Sequence, residues 1–163
     1  MSGTDENCII GIDLGTTYSC VSVWKDGAPV VIPSKSGRTM PSWISFRGAT
    51  AATSRKLVGA AAKAQAADNA ANTIYDVKRI LGRSFHDSVV QEEKKNLPYS
   101  IVEGKNGEPK IVVCNQNKEL SPEEVSAMIL GELKLAAEDF LGHTVSEAVI
   151  TGKIPLCHNC GTY

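Results

Sequence analysis

The run Gly11-Ile12-Asp13-Leu14-Gly15-Thr16-Thr17 holds the residue types best suited to chemistry. An apolar strand brings a carboxylate to its end, and the chain then turns at a glycine followed by two hydroxyl residues. Gly15 carries no side chain to keep a phosphate off the backbone, and successive N–H groups in such a turn form an anion-binding concavity. Thr16 and Thr17 add hydroxyl donors. Asp13 stands where a hydrated Mg²⁺ on the same phosphates needs a hard oxygen ligand. No G-x-x-x-x-G-K-[ST] run occurs, so this is not a P-loop. The same residues also read as a plain hairpin with an exposed aspartate. Taken by themselves, they leave both readings open.

The elements that must position this turn follow from hydrophobic patterning. Asn7 to Leu14 is apolar and β-branched, and Tyr18 to Trp24 alternates around Val21 and Val23. Asp26-Gly27 is a hairpin signal leading into Ala28 to Ile32, which predicts three successive antiparallel strands. A short strand is expected over Trp43 to Phe46, and Gly48 to Ser54 reads as a surface loop. The alanine-rich stretch Val58 to Ala67 predicts a helix, and Asn72 or Thr73 caps a second one ending at Gly82. Strands over Tyr99 to Val102 and Pro109 to Cys114 join through Asn106-Gly107. Ser121 to Leu141 predicts the longest helix: Ser121 at the N-cap, Pro122 at its first position, and Glu124 completing a capping box. Val125, Met128, Ile129, Leu133, Ala136 and Phe140 share one face, and Gly142 is the stop. Glu147 to Thr151 reads as a buried strand.

The composition narrows the function classes. A chain of 163 residues with 42% hydrophobic and 21% charged residues fits one globular unit with a core. A net charge of -1 argues against a nucleic-acid module, which carries a basic face. No apolar run approaches the roughly 20 residues that cross a bilayer, so no membrane role is expected. Met1 to Asn7 lacks the pattern of a secretory signal, and five scattered cysteines fit reduced thiols, so the cytoplasm is the expected compartment.

Asp13-Leu14-Gly15-Thr16-Thr17-Tyr18-Ser19-Cys20-Val21 closely resembles the opening of the heat-shock-protein-70 chaperones. Arg38-Thr39-Met40-Pro41-Ser42 resembles the R-T-x-P-S segment of that family, and Asn72 to Arg83 its N-T-x-x-D-x-K-R-x-x-G-R segment. Ser121 to Leu130 resembles the P-E-E start of its long helix, and Ala148 to Thr151 the start of a following strand. The likeness runs from about Asn7 to Thr151, which marks 7–151 as an incomplete first lobe of the nucleotide-binding domain and 152–163 as a divergent tail. The resemblance implies an α/β fold: part of an actin-like, ribonuclease-H-like ATPase lobe, with a mixed sheet and a small inserted subdomain over about Ser34 to Asn117. It implies ATP or ADP with Mg²⁺ as cofactors, Asp13 holding the metal through water, and Gly15, Thr16, Thr17 and Tyr18 at the phosphates. Lys78 is implied as the catalytic cation beside the γ-phosphate and the attacking water. Partners implied at family level are unfolded client proteins and J-domain or nucleotide-exchange co-chaperones. Arg79 and Glu123-Glu124 carry weaker implications, the acidic pair being explained by its helix N-terminus.

The departures shape the functional expectation. Gly37-Arg38 replaces the family's N-R, Phe46 to Leu57 is a few residues longer, and Gly152 to Cys160 leaves the family pattern. The second phosphate loop and adenine-binding lobe do not follow. The expectation is therefore a truncated member of an ATP-dependent chaperone family, inactive alone as a hydrolase. The alternatives are a non-catalytic module competing for co-chaperones, or a non-functional gene product. A sugar kinase shares the hairpin type but not the D-x-K-R and P-E-E segments. Cys157-x-x-Cys160 has no second ligand pair, so neither zinc nor thiol redox chemistry is expected there.

Overall fold

Strand β1 (Ile9–Asp13) lies between β2 (Tyr18–Lys25), antiparallel to it, and β11 (Glu147–Thr151), parallel to it. β3 (Ala28–Val31) continues the sheet beyond β2, so its order is β11-β1-β2-β3. β4 (Met40–Pro41) pairs with the start of β2, Tyr18 opposite Pro41. The computed structural model describes residues 8–34, 37–48, 53 and 55–151. Between β2 and β3, Asp26 and Gly27 both take positive φ, 52° and 79°, the conformation of the two-residue turn whose twist matches the strands it joins.

Two three-stranded sheets follow. In one, β5 (Ile44–Arg47) lies between β6 (Arg55–Val58) and β7 (Thr73–Ile74). In the other, β9 (Pro109–Val113) lies between β8 (Ile101–Glu103) and β10 (Lys118–Leu120). The helices are α1 (Ala60–Lys63), α2 (Ser88–Asn96) and α3 (Pro122–Leu141).

Helix α3 packs on β1 and β2, where alternation buries Ile10 and Ile12 against Val21 and Val23. Its start is fixed by the expected capping box: Ser121 Oγ accepts from the Glu124 N–H, and Glu124 Oε2 accepts from the Ser121 N–H at 2.7 Å. Its end is Gly142, left-handed at φ 76°. The buried face departs from the expected one at its last turn. Ala137 is buried in place of Ala136, and Phe140 is exposed with the Lys25 ammonium 5.7 Å from its ring centre. Four residues on from buried Leu133 comes Ala137, whose small side chain continues the inner stripe.

Three expectations are corrected. Val58 closes β6 opposite Ile44, so strand pairing takes it out of the expected helix, and the helix of this region is the single turn α1. The helix expected from Asn72 or Thr73 to Gly82 is broken into β7 and one 3₁₀ turn, Val77–Arg79, because Asp76 between them takes φ 56°. The Glu147–Thr151 strand is present and parallel to β1, but all five residues are exposed, Val149 to 59%. Among the described residues β11 has β1 as its sole strand neighbour. The sequence patterning also passes over α2, whose start is set by Asp87 accepting the Val89 N–H at 2.9 Å. Most of the expected Gly48 to Ser54 loop, and the whole tail from Gly152, lie outside the described residues.

Replacing Ser121 by Ala should cost about 1 kcal/mol, the usual value of such a cap, read as a lower urea midpoint at unchanged slope. Two further carboxyls give an acid limb to stability. Asp87 is held below its ordinary range by the Val89 N–H and then by Arg83, and Glu138 by the Val145 N–H. Both are lowered by folding, so their contribution is full above the ordinary carboxylate range and is lost as pH falls through the lowered values. Stability should therefore decline below about pH 4. Glu138→Gln should make that decline shallower, and an unchanged pH profile would contradict the assignment.

Candidate functional site

The carboxyl end of β1 is tied on both sides: Asp13 stands opposite Cys20 on β2 and Thr151 on β11. The Leu14 N–H donates to the Thr151 carbonyl at 3.2 Å, and Thr151 Oγ1 donates to the Ile12 carbonyl at 3.3 Å. Leu14 is buried as the chain leaves the sheet, while Asp13 is exposed beside it. The turn that follows is tight. A β-carbon on Gly15 would lie 2.0 Å from the Tyr18 carbonyl oxygen, which no side chain allows.

Lys78 reaches this turn from the 3₁₀ segment Val77–Arg79. Its Nζ donates to the Leu14 carbonyl. Leu14, Gly15, Thr16, Ser42, Val77 and Lys78 line one shallow cleft that also meets the first turns of α3. The geometry thus gathers a lysine ammonium, a tight glycine turn and Thr16 within one depression, with Asp13 and Thr17 exposed next to it. A carboxylate, an ammonium and paired amide and hydroxyl donors fit a Mg²⁺-bearing polyphosphate. Among the described residues no cluster of three acidic, histidine or cysteine side chains is placed to bind a metal.

Tyr18 is 47% exposed. Lys63 of α1 donates to its hydroxyl at 3.4 Å, and the same ammonium sits 5.6 Å from its ring centre and 5.9 Å from that of Trp43. Trp43 stacks on Tyr75 at 4.0 Å, and Tyr75 meets Tyr99 edge-on while its carbonyl accepts the Tyr99 hydroxyl. Burial pushes the Tyr99 phenol far above its ordinary value. This aromatic column runs from Trp43 to Tyr99, just before β8. Arg79 points elsewhere, paired with Asp76 at 3.8 Å and Glu93 at 3.3 Å.

Sequence reading missed four contributors: Lys63, Trp43, Ser19 and Ser42. The last two had a signal. Ser19 falls on the inward positions of β2 with Val21 and Val23, and a hydroxyl there needs a partner. Ser42 closes the Arg38 to Ser42 segment.

Strand, glycine turn and strand, with a helix on one face of a mixed sheet, define an α/β domain whose donors sit on a hairpin turn instead of a strand-to-helix loop. The family model described as "Hsp70 protein" matches residues 9–157, and the chain belongs to the Hsp70 family. It is 42% identical over 156 residues to "Heat shock cognate 70 kDa protein 3" of Dictyostelium discoideum, covering 93% of this chain and 24% of that protein. It is 45% identical over 145 residues to "Putative heat shock 70 kDa protein 7" of Homo sapiens, covering 87% of this chain and 38% of the relative. A third relative, "Heat shock 70-related protein 1, mitochondrial" of Leishmania major, is 47% identical over 144 residues, 88% of this chain and 22% of that protein. The chain therefore spans between about a fifth and two fifths of the relatives it matches. Among the described residues no helix is long and apolar enough to cross a membrane.

Gly15→Ala should force the turn open, because the clash is with backbone and not with a flexible side-chain tip. The expected cost is about 1–3 kcal/mol, with amide resonances displaced from Asp13 to Ser19 and largely unmoved in α2. Wild-type stability with an unshifted turn would contradict the geometry.

Proposed function

We propose that this chain carries the phosphate-binding side of an ATP-dependent chaperone of the Hsp70 type, and that ATP and ADP bind as Mg²⁺ complexes through their phosphates at the Asp13 to Tyr18 turn. The observation that carries this reading is the placement of Lys78, brought from 64 residues away to hydrogen-bond the Leu14 carbonyl between Asp13 and Gly15. A solvated lysine on a surface turn has no reason to be there.

In this reading Thr16 and Thr17 donate to the phosphate oxygens, Gly15 supplies the close approach, and Tyr18 binds beside them; Gly15 and Thr16 line the cleft, and Thr17 and Tyr18 are exposed next to them in the chain. Asp13 orients the metal's water shell. The bound Mg²⁺ supplies neutralisation of phosphate charge. Lys78 is the catalytic cation: its ammonium stabilises charge that builds on a transferring phosphoryl group. The named contacts reach only phosphates, so affinity is expected near millimolar, about -4 kcal/mol. Clients and J-domain or nucleotide-exchange co-chaperones belong to the same reading at family level. A cytoplasmic setting belongs to the same reading.

Calorimetric titration of the chain tests it. ATP, GTP and pyrophosphate should bind with similar affinity in Mg²⁺ and far more weakly in chelator. Lys78→Ala should weaken binding about tenfold or more, the size of a hydrogen bond to a charged group, and Asp13→Asn should remove most of the Mg²⁺ dependence. Binding that is unaffected by Lys78→Ala, or absent at about 10 mM ligand, would overturn the proposal.

A further inference from the structure

We infer that Ser19 and Ser42 are positioning residues of the phosphate turn, closing a hydrogen-bonded ring through both backbone groups of Gly15; this rests on the phosphate reading above. The Gly15 N–H donates to Ser19 Oγ at 3.2 Å, the two serine oxygens lie 2.9 Å apart, and Ser42 Oγ donates to the Gly15 carbonyl at 2.9 Å. The proton direction is forced. Ser42 has one hydroxyl proton and spends it on the carbonyl, so Ser19 donates to Ser42 and accepts from Gly15. The cycle runs Gly15 N–H to Ser19 to Ser42 to Gly15 C=O, every member both satisfied and committed.

Both serines are buried, Ser19 at 2% and Ser42 at 4% exposure, so deletion of either hydroxyl takes the partner from a backbone group of Gly15. Ser42 holds the turn a second time, through its own N–H to the Thr17 carbonyl at 3.0 Å. Lys78 takes the Leu14 carbonyl. Three carbonyls of the turn, at Leu14, Gly15 and Thr17, are thereby drawn onto protein donors. Their negative ends are compensated locally, which favours an incoming anion. The Gly15 N–H is committed inward to Ser19, which leaves the phosphate donors of this reading to Thr16 and Thr17. Ser19 comes from β2 and Ser42 follows β4, and the pairing of these two strands keeps the two hydroxyls in register.

Amide hydrogen exchange and Mg²⁺-pyrophosphate titration of the full chain test this together. Ser19→Ala should speed exchange of the Gly15 amide about tenfold or more relative to the Val21 and Val23 amides, which report that the sheet is intact. Ser19→Ala and Ser42→Ala should each weaken pyrophosphate binding about tenfold, and Ser19→Thr, which keeps the hydroxyl, should restore both readouts. Unchanged Gly15 exchange in Ser19→Ala would overturn the ring. Altered exchange with unchanged pyrophosphate affinity would reduce the ring to a structural feature and overturn the positioning role. If wild-type chain binds no pyrophosphate, the phosphate reading fails and the positioning role with it, while the exchange result still decides whether the ring exists.

Discussion

Strand β1 is hydrogen-bonded along both edges, and the candidate site hangs from its carboxyl end. Its parallel partner β11 comes from the far end of the described chain, and its antiparallel partner β2 begins three residues after the Gly15 turn opens. With both neighbours fixed, the direction in which Asp13 and Leu14 leave the sheet is set before any ligand arrives. Helix α3 fixes the strands' inner face through Ile10, Ile12, Val21 and Val23. Gly15 then has one path open to it, close under the Tyr18 carbonyl.

The parts brought to that end arrive from distant segments. Lys78 comes on a single 3₁₀ turn behind the left-handed Asp76, and Ser42 comes from the segment after β4. Lys63 comes on a one-turn helix, bridging Tyr18 and Trp43. The small sheets thus act as a frame that delivers side chains to the turn. Trp43 stacked on Tyr75, and Tyr75 edge-on to Tyr99, pack large aromatic surfaces between these short elements.

Where structure is set locally, the sequence was legible. Asp26-Gly27 specified its turn, Ser121 and Glu124 their capping box, and the Asp13 to Thr17 run its strand end and turn. Where a distant strand decides, local propensity misled. The stretch from Val58 read as helix, yet pairing with β5 holds Val58 in a strand, and the helix that follows is the single turn Ala60–Lys63. Asn72 to Gly82 read as helix because nothing local foretells a left-handed Asp76. The apolar Ala148-Val149-Ile150 core of β11 read as buried because apolar content does not tell which faces and edges are covered. Asp13 and Thr16 stood out in the motif and Lys78 through the family resemblance, and Thr16 and Lys78 line one cleft, but the serine ring was legible only in part. Ser19 showed an inward place on β2, but its partner Ser42 lies 23 residues on and the bond from Ser42 to Gly15 spans 27, which no local pattern reaches.

The central claim is that the end of β1 is a phosphate-binding turn completed by Lys78. Its most direct test is a backbone amide chemical-shift map of the ¹⁵N-labelled chain, taken with and without saturating Mg²⁺-pyrophosphate. The account predicts that the displaced resonances fall on Thr16, Thr17 and their neighbours from Asp13 to Tyr18, and again around Lys78, with α2 and the β8-β9-β10 sheet unmoved. Displacements scattered over basic surface residues such as Lys94, Lys95 and Lys105, with the turn silent, would contradict it.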